Sequence, residues 1–193
     1  MRLQILDRGY RPGTRLLFAL VRLFSGYPPP DAAKFLFYRP EFYGAQAKRF
    51  THEAMRGPSE WTIADRELMA AFVSTVNGSA FCVGAHTATA TLAYQDAAKV
   101  QAVLDDLESA PIDDMLRTTL RMLGTLTREG TVTTEDMRQV LAAGVSHQQV
   151  RDALAVCAAF NTTNRLADAF GFEQLSPAGF EAGAAYLIKR GYR

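Results

Sequence analysis

The spacing of apolar residues along the chain is helical almost throughout. Apolar positions recur every three or four residues, strand-like alternation is scarce, and β-branched residues rarely cluster. Gly, Pro and cap-forming residues separate the periodic segments. The pattern predicts an all-α protein with helices at roughly 14–25, 31–38, 40–55, 62–77, 79–94, 96–108, 112–128, 134–143, 146–170 and 177–190.

No segment between these helices is long enough to separate independent domains. The chain has 193 residues, of which 48% are hydrophobic and 21% are charged, so it can bury a sizeable core. We therefore predict a single all-helical domain over residues 1–193. Residues 1–30 form an N-terminal extension of this domain, and residues 31–193 form its main body.

Charge is unevenly distributed along the chain. Residues 1–56 carry ten Lys/Arg and four Asp/Glu, whereas residues 57–193 carry eleven and sixteen. A basic arm of this kind could bind nucleic acid or a membrane surface. Docking on the acidic body or on a partner subunit is the favoured interpretation, so neither nucleic acid nor membrane is expected as a partner. The apolar run 16–24 is too short to span a bilayer and contains Arg22.

Cysteine content and the N-terminus indicate a reducing compartment. Cys82 and Cys157 are the only two cysteines, too few for a disulfide framework. The first residues lack the apolar segment of a signal peptide. We therefore expect a cytoplasmic protein with free thiols.

An uncharged stretch in the middle of the chain is the strongest candidate for chemistry. No Lys, Arg, Asp or Glu occurs from Leu68 to Gln95, yet Cys82 and His86 lie within this stretch and Glu67 directly precedes it. In the helix 62–77, the face that contains Glu67 otherwise has small residues, which indicates that a second helix packs there. Burial of this kind is expected to raise the pKa of the Glu67 carboxyl group and to suit it for proton transfer.

The helix predicted at 79–94 places Cys82 and His86 four residues apart on one face. Ser79 is the expected N-cap, and Cys82 follows in the first turn, where the helix dipole favours a thiolate. A lowered pKa is therefore expected for the Cys82 thiol. His86 could accept the thiol proton, and Glu67 could orient the imidazole. Alternatively, Cys82 and His86 are ordinary core residues, and Glu67 pairs with a cation such as Arg66. Three such ligands are a weak signal for zinc, and no metal is predicted.

These residues resemble the carboxymuconolactone decarboxylase / alkylhydroperoxidase D superfamily. Its peroxidase members have a Glu, then Cys-x-x-Cys-x-x-x-His, with the first Cys twelve positions after the Glu. Glu67 and the segment NGSAFCVGAH (77–86) match this pattern except that Ser79 replaces the first Cys. The segments YRPEFYGAQAKRF (38–50), WTIADRELMAAFVS (61–74) and FNTTNRLADAFGFE (160–173) resemble the peroxidase-related subgroup. The resemblance covers about three quarters of the chain and excludes residues 1–30.

The resemblance implies an alkylhydroperoxidase D-like helical fold that assembles as a homo-oligomer: a dimer, trimer or hexamer. It also implies thiol-dependent reduction of hydroperoxides without a cofactor, with Cys82 as the thiol, His86 as its activating base and Glu67 as the proton relay. Because Ser79 cannot form a disulfide, either an external thiol reductant resolves oxidised Cys82 or this reaction is not retained.

Two further functions remain open. One is a carboxymuconolactone-type decarboxylase or lactone enzyme that uses His86 and Glu67, although no Arg is apparent next to the motif. The other is a non-catalytic helical oligomer in which Cys82 and His86 are buried without a pocket.

A second Cys-containing segment faintly echoes the first. Cys157 and Asn161 have the same spacing as Cys82 and His86, which suggests an internal duplication. We expect Cys157 to be a core residue. Asn161 and Arg165 either line the pocket or serve helix packing and subunit contacts.

Overall fold

The structure, a computed structural model, describes residues 9–38 and 40–192 except for the side chain of Phe42. The first eight residues of the predicted N-terminal extension lie outside this range. The described residues form ten α-helices and no strand, which confirms the predicted all-α class. The helices are α1 Pro12–Ser25, α2 Asp31–Tyr38, α3 Ala45–Arg56, α4 Ile63–Asn77, α5 Ala80–Tyr94, α6 Ala97–Asp105, α7 Asp114–Glu129, α8 Thr134–Ala142, α9 His147–Phe170 and α10 Pro177–Arg190.

Cap residues fix most of the helix starts that the sequence predicted. Thr62, Thr133 and Ser146 each form a capping box with the residue three positions later. Several predicted boundaries are wrong. The helix expected at 96–108 ends at Asp105. The helix expected from residue 112 begins only after Asp113, whose carboxylate accepts a hydrogen bond from the Leu116 amide. The helix expected from residue 40 opens with a π-helical turn, Pro40–Gly44, before α3.

Helix α4 lies at the centre of the molecule. It packs against α5, α9 and α7, and also contacts α6 and α3. Its apolar side is fully buried at Leu68, Met69 and Val73, and so is the small-residue side that contains Glu67. A helix packs on both sides of α4, as its composition predicted. Glu67 is therefore held in the interior by packing around it.

The core has two parts. The larger cluster surrounds α4, and the smaller one is aromatic and brings together side chains from α2, α5, α9, α10 and the α9–α10 loop. Cys82 belongs to this smaller cluster, next to Phe81 and Phe172. The thiol thus lies in an apolar environment, while Glu67 lies on the neighbouring helix.

Helix α1 differs from the others because none of its residues is buried. Phe18 makes edge-to-face contacts with Tyr10, which precedes the helix, and with Phe37 of α2. Its remaining large apolar side chains are exposed: Leu16, Leu17, Leu20, Val21, Leu23 and Phe24. Within residues 9–38 and 40–192, no helix has the length and apolar character needed to cross a bilayer.

Close packing of α5 on α10 yields a stability prediction. A Cβ atom at Gly84 would lie 2.6 Å from Cζ of Phe180. We expect Gly84→Ala to lower the free energy of unfolding by about 1–3 kcal/mol, because the Phe180 ring must move. The measurement is urea denaturation.

Gly183→Ala in α10 is the matched control, since a Cβ there meets nothing within 4 Å. It is expected to leave stability unchanged or to raise it by up to about 1 kcal/mol. Equal stability of the two variants would contradict this description of the α5–α10 contact.

Candidate active site

A buried carboxylate–imidazole pair joins α4 to α5. Glu67 Oε2 lies 2.7 Å from His86 Nδ1, and neither side chain is appreciably exposed. The two helices form a hairpin through Gly78, which adopts φ +70° and allows the sharp reversal after Asn77. The sequence prediction that these two residues meet is confirmed by this contact.

Two further side chains reach the other oxygen of this carboxylate. Arg56 Nη2 donates to Glu67 Oε1 over 2.7 Å, and the Tyr192 hydroxyl donates to the same atom over 2.8 Å. The expectation of no Arg near the motif is therefore wrong, and the alternative partner Arg66 instead donates to the Gly57 carbonyl oxygen over 2.9 Å. Arg56 ends α3 and Tyr192 follows α10, so no local spacing signals either residue.

These partners reverse the expected ionisation of Glu67. Burial alone raises the pKa of a carboxyl group, as the sequence analysis expected. The hydrogen bond and charge of His86, together with the charge of Arg56, outweigh burial and hold the pKa of Glu67 below its ordinary value. Glu67 is therefore an anchoring carboxylate at neutral pH, and a raised pKa for this group is a wrong prediction.

The ionised carboxylate also fixes the protonation of the imidazole ring. A carboxylate only accepts hydrogen bonds, so Nδ1 of His86 carries a proton. In the neutral ring, Nε2 is then the nitrogen free to accept a proton. Phe160 packs edge-on against the ring at 4.3 Å between centroids, and the Tyr192 ring stacks at 6.4 Å. The His86 ring is thus held in one orientation, with Nε2 as its free acceptor.

Cys82 lies one helical turn before His86, but its environment opposes ionisation. Only 2% of the residue is exposed. Burial raises the pKa of the Cys82 thiol to about 11, a nearby Ser79 hydroxyl favours the thiolate only partly, and the Asp168 charge opposes it. The expected lowering of the Cys82 pKa is therefore wrong, because desolvation exceeds the effect of the helix N-terminus.

Ser79 precedes α5, but its hydroxyl does not cap the helix. The hydroxyl donates instead to Asp168 Oδ1 over 2.9 Å, and the residue is fully buried. Ser79 therefore occupies the predicted N-cap position, but its side chain does not cap the helix. A hydroxyl has a single proton, and the proton of Ser79 is donated to Asp168 on α9. Ser79 therefore stabilises a Cys82 thiolate only weakly.

The second Cys-containing segment lies elsewhere. Cys157 is buried and interacts with Thr127 Oγ1 at 3.6 Å and with Asn161 Nδ2 at 3.2 Å. Asn161 also accepts from Asn77 Nδ2, and Arg165 donates to the Asn161 carbonyl oxygen. This network lies at the C-terminal end of α4. Neither Asn161 nor Arg165 forms a hydrogen bond with Glu67, His86 or Cys82. Cys157 is the core residue that the sequence predicted.

A cavity of about 180 Å³ opens on the outer side of Arg66. Its charged lining consists of Arg66, Glu53 and Asp152, and the Glu67–His86 pair and Cys82 do not contribute to it. Two carboxylates and one guanidinium do not suit a dicarboxylate ligand. Among the described residues, no three His, Cys, Asp or Glu side chains are grouped as metal ligands.

Comparison with known proteins finds one matching family. Residues 40–122 match the model of the carboxymuconolactone decarboxylase family, and this segment includes Glu67, Ser79, Cys82 and His86. This segment of the chain, and not its whole length, is similar to that family. The resemblance recognised in the sequence is thereby confirmed. No curated protein matches the chain significantly in sequence.

Solved structures share the fold of this chain. A peroxidase-related protein from Silicibacter sp. TM1040 is similar with 21% identity, covering 94% of this chain and 95% of its own, at a TM-score of 0.80. A peroxidase-related protein with an alkylhydroperoxidase core from Ralstonia eutropha JMP134 has 19% identity, coverages of 94% and 96%, and a TM-score of 0.78. The debrominase Bmp8, solved with 2,3,4-tribromopyrrole, has 16% identity, coverages of 97% and 95%, and a TM-score of 0.71. The predicted alkylhydroperoxidase D-like fold is confirmed.

The raised pKa of Cys82 makes a prediction for alkylation. At a pKa of about 11, roughly one thiol in ten thousand is ionised at pH 7. In a Cys157→Ser variant, we expect the rate of iodoacetamide labelling to rise about tenfold per pH unit from pH 7 to about pH 10. Mass spectrometry of the labelled protein measures this rate.

The Cys82→Ser/Cys157→Ser variant, which has no thiol, is the control for labelling at other side chains. A labelling rate that reaches its plateau below pH 8 would contradict the raised pKa of Cys82.

Proposed function

We propose that this protein is a thiol-dependent peroxidase in which a hydroperoxide oxidises Cys82. The main support is the buried Glu67–His86 pair, whose hydrogen bond of 2.7 Å lies one helical turn from the only thiol of the motif. This pair supplies an oriented base one helical turn along α5 from a protonated thiol, and a base and a thiol together can form a sulfur nucleophile. Fold likeness to peroxidase-related proteins is consistent with this proposal.

In the first step, His86 removes the thiol proton as the reaction proceeds. Its Nε2 accepts the Cys82 proton while the sulfur attacks the terminal peroxide oxygen, and the O–O bond breaks. The departing alkoxide receives the proton from the imidazolium, so the products are an alcohol and the sulfenic acid of Cys82. Glu67 stabilises the transient imidazolium. Because the thiol starts protonated, this proton transfer is part of the rate-determining barrier.

The second step needs a thiol from outside the chain. Ser79 has no sulfur, and Cys157 is engaged with Thr127 and Asn161 in a separate network. A low-molecular-weight thiol condenses with the sulfenic acid, releases water and forms a mixed disulfide with Cys82. A second thiol then reduces this disulfide and regenerates Cys82. A cytoplasmic location would supply such thiols and is part of the proposal.

Access to Cys82 requires movement of the residues that cover it. Phe172 and Phe180 pack around the thiol-containing cluster, and Gly84 allows Phe180 to lie directly on α5. Asp168, by contrast, lies at the surface and contacts Ser79. We place the route of the peroxide on this side, between α5 and the C-terminal end of α9.

Neither alternative function is favoured by a specific contact. For a decarboxylase, a free guanidinium should face the acid–base pair, but Arg56 is already bound to Glu67 and to the Leu187 carbonyl oxygen. The non-catalytic interpretation expects Cys82 and His86 to be buried, which they are. It differs from the peroxidase proposal in predicting an inert thiol.

Peroxide-dependent loss of one thiol tests the proposal. In the Cys157→Ser variant, cumene hydroperoxide is expected to consume one titratable thiol per chain and to leave a sulfenic acid that dimedone traps. Adding a small thiol should restore the free thiol through a mixed disulfide visible by mass spectrometry. Additional His86→Gln should slow the oxidation about 10²-fold or more, because the base is lost.

The control is His147→Gln in the same background, since His147 lies at the start of α9 and away from the site. If Cys82 stays fully reduced in excess hydroperoxide, the peroxidase proposal is wrong.

We further propose that the protein forms a homo-oligomer in which α1 covers a second copy of the chain. The apolar side chains of α1 are exposed, so they leave a surface that a partner would bury. Arg11, Arg15 and Arg22 make the arm basic, whereas residues 57–193 carry an excess of five acidic residues. This complementarity favours the acidic body of another copy over nucleic acid or an anionic membrane.

Charge introduced on the apolar side of α1 tests this assembly. Leu20→Glu is expected to reduce the oligomer to a smaller species, because a carboxylate would have to be buried in the contact. Sedimentation equilibrium measures the mass. Leu141→Glu, which introduces the same charge at an exposed leucine of α8, is the control and should retain the oligomer. A wild-type protein that sediments as a monomer would refute the proposal.

A further inference from the structure

The end of the chain returns to the candidate site. After α10, a turn places Tyr192 against both members of the Glu67–His86 pair. Its hydroxyl donates to Glu67 Oε1 over 2.8 Å. Its ring lies nearly parallel to the His86 imidazole, with 17° between the planes and 6.4 Å between the centroids. One side chain, 125 residues from Glu67 in sequence, thus contacts the carboxylate and the base together.

Helix α3 holds this turn in place. Gly191 adopts φ +66°, and a Cβ atom there would lie 2.9 Å from Cε1 of His52. The Tyr192 amide donates to His52 Nδ1 over 3.3 Å, and Arg56 Nη2 donates to the Leu187 carbonyl oxygen over 3.2 Å. A glycine at position 191 and two residues of α3 therefore determine where the tyrosine lies.

The chemistry of the tyrosine suits a hydrogen-bond donor. Burial and the negative charge of Glu67 raise the pKa of Tyr192 well above its ordinary value, so the side chain remains a phenol. The Arg56 guanidinium lies 5.1 Å from the centre of the Tyr192 ring. The phenol is thus held between a cation and the stacked imidazole, with its proton directed at Glu67.

We propose that Tyr192 is a positioning residue for the base of this site: through its hydrogen bond to Glu67 and by stacking, it sets the orientation of His86. Tyr192 acts through Glu67 and does not contact the reacting sulfur. The consequence for peroxide reduction rests on the proposed function, whereas the effect on the imidazole itself does not.

Several groups determine how the Glu67 carboxylate holds the imidazole. Glu67 on α4 faces it directly, Cys82 precedes it on α5, and the Phe160 ring of α9 packs against it. From α3, Arg56 shares the carboxylate, and His52 accepts a hydrogen bond from the Tyr192 amide.

Removing the Tyr192 hydroxyl leaves Arg56 as the remaining donor to Glu67 Oε1 among these groups. More of the negative charge of the carboxylate then acts on the Nδ1 proton of His86, and the hydrogen bond between Glu67 and His86 strengthens.

Tyr192→Phe keeps the ring and removes only this hydrogen bond. We expect the Nδ1 proton resonance of His86, measured by NMR at one pH and assigned with His86→Gln, to move downfield. In the Cys157→Ser background, the oxidation of Cys82 by cumene hydroperoxide should slow about 3–10-fold, because the imidazole is no longer held in the same orientation. A purely structural role for Tyr192 would lower thermal stability without moving this resonance.

Tyr186→Phe is the matched control, because Tyr186 lies on α10 with 55% of its surface exposed. It should match the wild type in both measurements. Tyr192→Phe should also have a much smaller effect on the resonance in a Glu67→Gln background, since it acts through the carboxylate.

The inference is wrong if Tyr192→Phe leaves the His86 resonance unchanged, or if Tyr186→Phe shifts it equally. A protein that does not react with hydroperoxides but shows the resonance shift would refute the proposed function and support the role of Tyr192.

Discussion

The carboxylate of Glu67 is the group on which the rest of the site depends. It has no exposed surface, and a buried charge is costly unless other groups neutralise it and satisfy its oxygens. His86, Arg56 and Tyr192 do so from α5, α3 and the end of the chain. Loss of one partner of a buried ion pair typically costs about 3–5 kcal/mol. The contacts that orient the His86 ring therefore also join α3, α5 and the residues after α10 to α4.

Helix α5 places two reactive groups in contrasting environments. His86 faces the polar network of Glu67, whereas Cys82 lies in the aromatic cluster with Phe81 and Phe172. The thiol is therefore protonated at neutral pH, while the adjacent ring has a nitrogen free to accept a proton. This division favours chemistry in which the thiolate forms only as it reacts, instead of a thiolate exposed continuously to oxidants.

The serine at the position of the first motif cysteine also changes the packing around α5. Ser79 is buried and directs its hydroxyl to Asp168, which connects the start of α5 to α9. The nearby carboxylate also opposes ionisation of Cys82. The other Cys-containing segment, around Cys157 and Asn161, forms its own network at the C-terminal end of α4. The two cysteines thus occupy separate parts of the molecule, in keeping with a cycle that depends on an external thiol.

The helical class could be predicted from the sequence because apolar residues recur with helical periodicity. Most helix limits could be predicted because cap residues mark them. The contact between Glu67 and His86 could be predicted because the two residues lie on neighbouring helices of one short hairpin. The sequence also predicted that both sides of α4 are covered, since small residues replace charged ones there. It did not reveal Arg56 or Tyr192, which reach Glu67 from distant segments without any local pattern. Nor could it give the ionisation of Glu67 and Cys82: the pKa of each depends on the balance between burial and neighbouring charges, and only the tertiary structure sets that balance.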